Sequence, residues 1–192
     1  MAATSKGNVR EAILVAAREA AMAYGYGGLN FRDLAATVGI KAASINYHFA
    51  TKALLGEAVA RRYWEDIARD LEAISTNARS PTEALQRYPS IFRLSLERDN
   101  RMCLSSFMAT EHDELPELVL KEVQTFADVN TAWLCEHLVA AKRAAPAEGE
   151  LRARAIYAAV AGAQMIARSR SDVDVFDTLI ESYQRMGLLP SS

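Results

Sequence analysis

The chain has 192 residues, of which 51% are hydrophobic and 24% charged, with a formal net charge of −2. This balance excludes disordered and collagen-like classes and gives enough length for one two-part helical unit or two small domains. No apolar run approaches the ~18 residues that span a bilayer, and residues 1–10 are polar with no leader-like apolar core, so a cytoplasmic protein with no membrane partner is expected.

Apolar residues recur at helical spacing nearly everywhere and no stretch alternates with period two, which predicts an all-α fold. A first helix is expected over 9–24, with Ile13, Leu14, Ala17, Ala20 and Ala21 on one face and the Gly25, Gly27 and Gly28 cluster ending it. Asn30 caps a short second helix over 31–38, and Gly39 stops it. A third short helix covers 42–49. Thr51 caps a long fourth helix that runs to about Ile74. The turn-rich segment 75–81 follows, and further helices are expected over 82–97, 101–112, 116–143, 149–169 and 173–186.

Charge divides along the chain. Residues 1–62 hold eight Lys and Arg against four Asp and Glu, a balance of +4, while the other 130 residues hold 14 against 20, or −6. A basic module that faces phosphate, joined to a different kind of domain, would show this asymmetry. The two cysteines, Cys103 and Cys135, lie 32 positions apart, a spacing that fits neither a metal site nor a disulfide-dense scaffold. They read as packed thiols.

The segment 30–49 has the marks of a helix-turn-helix. Leu34, Ala35, Val38, Ile40 and Ile45 fall where two crossing helices lock together, and Gly39 stands where the turn needs positive φ. With Ala43 and Ile45 turned to the core, Lys41, Ala42, Ser44, Asn46, Tyr47 and His48 face outward, and all but Ala42 offer a hydrogen bond or charge. A generic short helix pair would share the turn, so the continuation decides.

That continuation, Tyr47 to Leu55, completes the string IKAASINYHFATKALL (residues 40–55) after NFRDLAATVG (30–39). Residues 8–62 resemble the TetR family of bacterial transcriptional regulators, and the rest of the chain resembles it loosely by helix count and length. The resemblance implies an N-terminal three-helix helix-turn-helix domain (1–62), joined by a long fourth helix to a C-terminal helical ligand-binding and dimerisation domain (63–192). By position it implies that Ser44 contacts a base edge or phosphate, Tyr47 and His48 contact phosphate, and Lys52 anchors a phosphate. Arg32 falls where a second base or phosphate contact stands, and Arg pairs bidentately with guanine. Free N–H groups at the helix starts after Asn30 and Thr51 are expected to add to this. Asn46 stands where the family often has Tyr, and Lys41 where a small hydroxyl is frequent, which leaves base preference open. Tyr47 has an alternative as a ring filling the seam between the third and fourth helices.

Beyond residue 82 no base, nucleophile and oxyanion set stands at meaningful spacing, so no enzyme and no cofactor are expected. The run Glu111-His112-Asp113-Glu114 holds potential metal ligands but reads as a solvated acidic loop before Pro116. Phe92, Met102, Phe107, Met108, Phe126, Trp133, His137 and Tyr157 lie on inward faces, where the resemblance implies a pocket for a small, mostly apolar inducer and plain periodicity implies a core. The Ala- and Gly-rich helix 149–169 beside the amphipathic 173–186 resembles the family's dimer interface, which implies a homodimer on operator DNA. The expected function is a ligand-responsive regulator, a repressor released by its inducer. The alternative is a sensor of oxidants or electrophiles through Cys103 or Cys135.

Overall fold

The structure, a computed structural model, describes residues 6–191; residues 1–5 of the polar N-terminal stretch and Ser192 lie outside the described residues. Among those described, α-helices follow one another with no strand: α1 (Lys6–Tyr24), α2 (Phe31–Val38), α3 (Ala42–His48), α4 (Lys52–Asn77), α5 (Pro81–Arg87), α6 (Ser90–Glu97), α7 (Leu104–Ala109), α8 (Glu117–Ala140), α9 (Pro146–Arg170) and α10 (Val173–Arg185). Short 3-10 turns stand at Tyr26–Gly28 and His112–Glu114. No helix among the described residues is long and apolar enough to cross a membrane.

The main departure from the sequence expectation is at 82–97, where one helix was expected and two form. Pro89 has no N–H to give, and the N–H groups of Ile91 and Phe92 bond three residues back, to Tyr88 and Pro89. Leu85, Tyr88, Phe92 and Leu96 keep helical spacing across the break, so periodicity alone hides it. The helix expected over 101–112 shrinks to 104–109. α9 begins at Pro146 rather than 149, since proline is favoured at a first helical position.

The chain forms two compact units, one made of residues 1–64 with 104–124 and the other of 65–103 with 125–192. In the first unit α1, α2 and α3 pack together and α7 packs on α1. Ile13, Ala17, Ala21, Leu34 and Ile45 are almost completely buried there. The segment 104–124 belongs to this unit, although the sequence reading assigned it to the C-terminal body. Its attachments explain why: the Glu122 carboxylate accepts hydrogen bonds from Arg61 at 2.8 Å and from the Trp64 indole at 2.7 Å.

In the second unit α9 and α10 pair, and α6 packs on both. Arg93 of α6 grips Asp177 of α10 with two bonds, at 2.8 and 2.9 Å. The fully buried Gln164 side chain donates to the Phe92 carbonyl at 2.7 Å and accepts the Cys103 N–H at 3.1 Å, so both ends of its amide are satisfied. Tyr88 is likewise buried and donates its hydroxyl to Asn130 at 3.0 Å; burial pushes that hydroxyl well above the ordinary tyrosine range.

Candidate nucleic-acid interface and ligand region

The interface is built on α2 and α3. Asn30 caps α2, its side chain accepting the N–H of Arg32 at 2.9 Å and of Asp33 at 3.4 Å. Gly39 ends α2 with φ 75° and ψ 34°, a left-handed conformation that turns the chain directly into α3. Ile45 is completely buried and Phe49 nearly so, with the Arg10 guanidinium 5.0 Å above the Phe49 ring. These two residues fix which side of α3 meets the core.

The opposite side holds most of the expected set. Lys41, Ala42, Asn46 and Tyr47 are exposed, as is Arg32 on α2. Ser44 and His48 are half-buried, and the Tyr47 and His48 rings meet edge to face at 5.3 Å. Tyr47 is 66% exposed, which corrects the alternative that it fills the seam between α3 and α4. Ala43, expected in the core, is exposed. A second correction concerns the helix starts. The N–H groups of Arg32 and Asp33 are taken by Asn30, and that of Leu54 by the Thr51 hydroxyl at 3.2 Å, so these three are not free for phosphate.

Lys52 stands in the first turn of α4 with its Nζ 4.3 Å from the centre of the Tyr26 ring. The sequence reading missed Tyr26. An aromatic residue set among three glycines was the signal, since a plain turn has no use for a buried ring. Beside it, Gly27, Leu29, Asn30, Phe31, Asn46, Ala50, Thr51 and Lys52 line an open depression of about 450 Å³. It brings the start of α2, the outer side of α3 and the start of α4 to one surface.

Comparison with known proteins agrees with this geometry. Residues 13–59 match the family described as bacterial regulatory proteins, tetR family. A TetR transcriptional regulator from Legionella pneumophila is 29% identical and superposes with a TM-score of 0.85 over 92% of this chain and 95% of its own. Residues 13–59 are a TetR-family DNA-binding module, and the chain as a whole has the fold of TetR-family regulators. A TetR-family regulator from Agrobacterium tumefaciens (23% identity, TM-score 0.87, 95% and 98% covered) and the reduced form of NemR from E. coli (18%, 0.82, 96% and 100%) share the fold. No curated protein matches the sequence. With that module and fold the protein is a DNA-binding transcriptional regulator with a helix-turn-helix.

The residues expected to line an effector pocket divide between the two units. Phe107 and Met108 lie on α7 in the first. Phe92, Met102, Phe126, Trp133, His137 and Tyr157 lie in the second. There Tyr157 stands 6.3 Å from Phe92 and 6.2 Å from Phe126, while Tyr88 stacks on Trp133 at 5.8 Å. Trp133 in turn stacks on His137 at 4.0 Å. Ser75 of α4 ties the last pair: its Oγ accepts the Trp133 indole N–H at 2.9 Å and lies 3.0 Å from His137 Nε2. His137 Nδ1 lies 2.9 Å from the Trp133 carbonyl, to which only a protonated Nδ1 can bond, while the Ser75 hydroxyl also donates to the Leu71 carbonyl at 3.2 Å. Tyr88 and Ser75 complete this aromatic group and were not singled out from the sequence. His112, in the acidic run, is exposed beside Asp113.

Proposed function

We propose that this regulator is a cytoplasmic, ligand-responsive repressor that binds a palindromic operator as a homodimer and is released by a small, mostly apolar inducer. The observation that carries the reading is the division of α3 into a fully buried Ile45 and an outward set of Lys41, Ala42, Asn46 and Tyr47. A seven-residue helix with one buried anchor and a polar outer side suits the major groove. Arg32 and Ser44 are assigned to base edges, and Tyr47, His48 and Lys52 to phosphates. DNA binding is assigned to residues 1–62, with effector binding and dimerisation assigned to 63–192.

Dimerisation is supported by α9, where Leu151, Ala155, Ala158 and Met165 are exposed at helical spacing. An added Cβ at Gly162, on the same strip, meets nothing within 4 Å. The inducer site is assigned to the aromatic group of the second unit, with Met102 as a further contact. For the thiol alternative, Cys103 is 2% exposed and closed to reagents, which leaves only the half-buried Cys135.

Selection of bound duplexes from a random library tests the reading. A palindrome with half-sites about one helical turn apart (~34–36 Å) is expected. Arg32→Ala is expected to relax preference at one operator position, at a cost of about 1–3 kcal/mol, with a smaller effect for Ser44→Ala. Recovery of sequences without two-fold symmetry would overturn the dimeric reading.

A further inference from the structure

The acidic run 111–114 is unused by the DNA-binding reading, yet one of its carboxylates has a defined partner. Glu111 Oε2 accepts the backbone N–H of Tyr26 at 2.7 Å, across 85 positions of sequence and within the first unit. The chain makes room for it. Gly25 has φ 65° and ψ −157°, which side-chain-bearing residues rarely adopt, and a Cβ there would overlap the Glu111 carboxylate.

From Tyr26 the contact continues to α4. Its ring lies so close to Gly56 that a Cβ on that glycine would come within 2.9 Å of ring carbon Cε2. One helical turn earlier, the Lys52 ammonium covers the ring at 4.3 Å. The carboxylate fixes the turn, the turn fixes the ring, and the ring limits where a long flexible cation settles.

We propose that Glu111 is a positioning residue for DNA binding, which latches the 25–26 turn and so seats Lys52 to meet a phosphate. This rests on the assignment of Lys52 as a phosphate contact. Its sign separates it from simple electrostatics. A carboxylate on a DNA-binding unit repels phosphate, so removing one that has no positioning role tightens binding. Removing the latch weakens it. Because Glu111 closely follows α7, a displacement of α7 would unseat Lys52 without touching DNA.

The test is titration of a short mixed-sequence duplex with the full-length protein at a series of salt concentrations. Lys52→Ala is expected to lower the log–log salt slope by about 0.9 per bound head, which weakens binding about eightfold per bound head at ~0.1 M salt. Glu111→Ala is expected to reproduce most of that loss in slope and affinity. Glu111→Gln keeps an acceptor for the Tyr26 N–H and is expected to bind as tightly as wild type or more tightly. The double variant Lys52→Ala with Glu111→Ala should bind as Lys52→Ala alone. Tyr26→Leu keeps the carboxylate bond and removes the ring, so it should lower the slope as Glu111→Ala does, and it serves if Glu111→Ala fails to fold. An unchanged slope in Glu111→Ala or Tyr26→Leu, or Glu111→Gln as weak as Glu111→Ala, overturns the proposal. An unchanged slope in Lys52→Ala instead overturns the phosphate role of Lys52, and the latch with it.

Discussion

Glu122 is 5% exposed, and burial alone would raise its pKa by penalising the ionised form. The bonds from Arg61 and from the Trp64 indole outweigh burial and hold the carboxyl below its ordinary value. A lowered folded-state pKa stabilises the fold above the unfolded carboxylate range, and that contribution disappears as pH falls through the lowered value. Glu122→Gln should therefore cost about 1–2 kcal/mol near neutral pH, a figure kept small because Arg61 is half in water. The loss should shrink as the medium becomes acidic enough to protonate the wild-type carboxyl. Urea unfolding of both proteins across that range checks it, and an equal loss at all pH values would assign the effect to packing. The pairings of Glu122 with Arg61 and Trp64 and of Glu111 with Tyr26 were not legible in the sequence, because chain order places the partners far apart. Gly39 and Ile45 were legible, because the turn and the core contact they serve are set within a few residues.

At the scale of elements, local signals located α2 and α3 closely: Asn30 begins one helix, Gly39 ends it, and the buried and exposed sides follow from spacing. The same reasoning joined α5 and α6, because the apolar period continues past Pro89. It does not reveal that 104–124 group with 1–64, since no local pattern records that Glu122 pairs with Arg61 and Trp64. α9 was legible as a helix, while the role of its small residues needs an experiment. Ala159 lies half-buried on this helix beside the exposed strip that holds Ala155 and Ala158. Ala159→Arg should place an unpaired charge in the proposed interface, give monomers by light scattering and abolish operator binding. An unaltered dimer would move the interface to another surface.

At the scale of the whole molecule, α4 and α8 each contribute residues to both units, with α4 divided after Trp64 and α8 after Gln124. α4 starts with the proposed phosphate contact, Lys52, and includes Ser75, which bonds the indole of Trp133. Its 26 residues extend ~39 Å at 1.5 Å per residue, so a small tilt at one end becomes a shift of several ångströms at the other. A dimer that reads two half-sites at a fixed spacing does not tolerate such a shift. If an inducer in the second unit releases DNA in this way, linkage requires that operator DNA weaken inducer binding by the same factor. Trp133 is placed to report the inducer, being stacked on His137 at 4.0 Å within the aromatic group. Trp64 would confuse the signal, because it belongs to the first unit and bonds Glu122, so Trp64→Phe isolates the probe. Small aromatic compounds that quench Trp133 in that variant are then titrated with and without operator duplex. For a compound that weakens operator binding about tenfold, a tenfold loss of compound affinity in the presence of operator is expected, a coupling of about 1.4 kcal/mol. Equal affinities with and without operator, for a compound seated at Trp133, would show that the aromatic group of the second unit does not control the reading head.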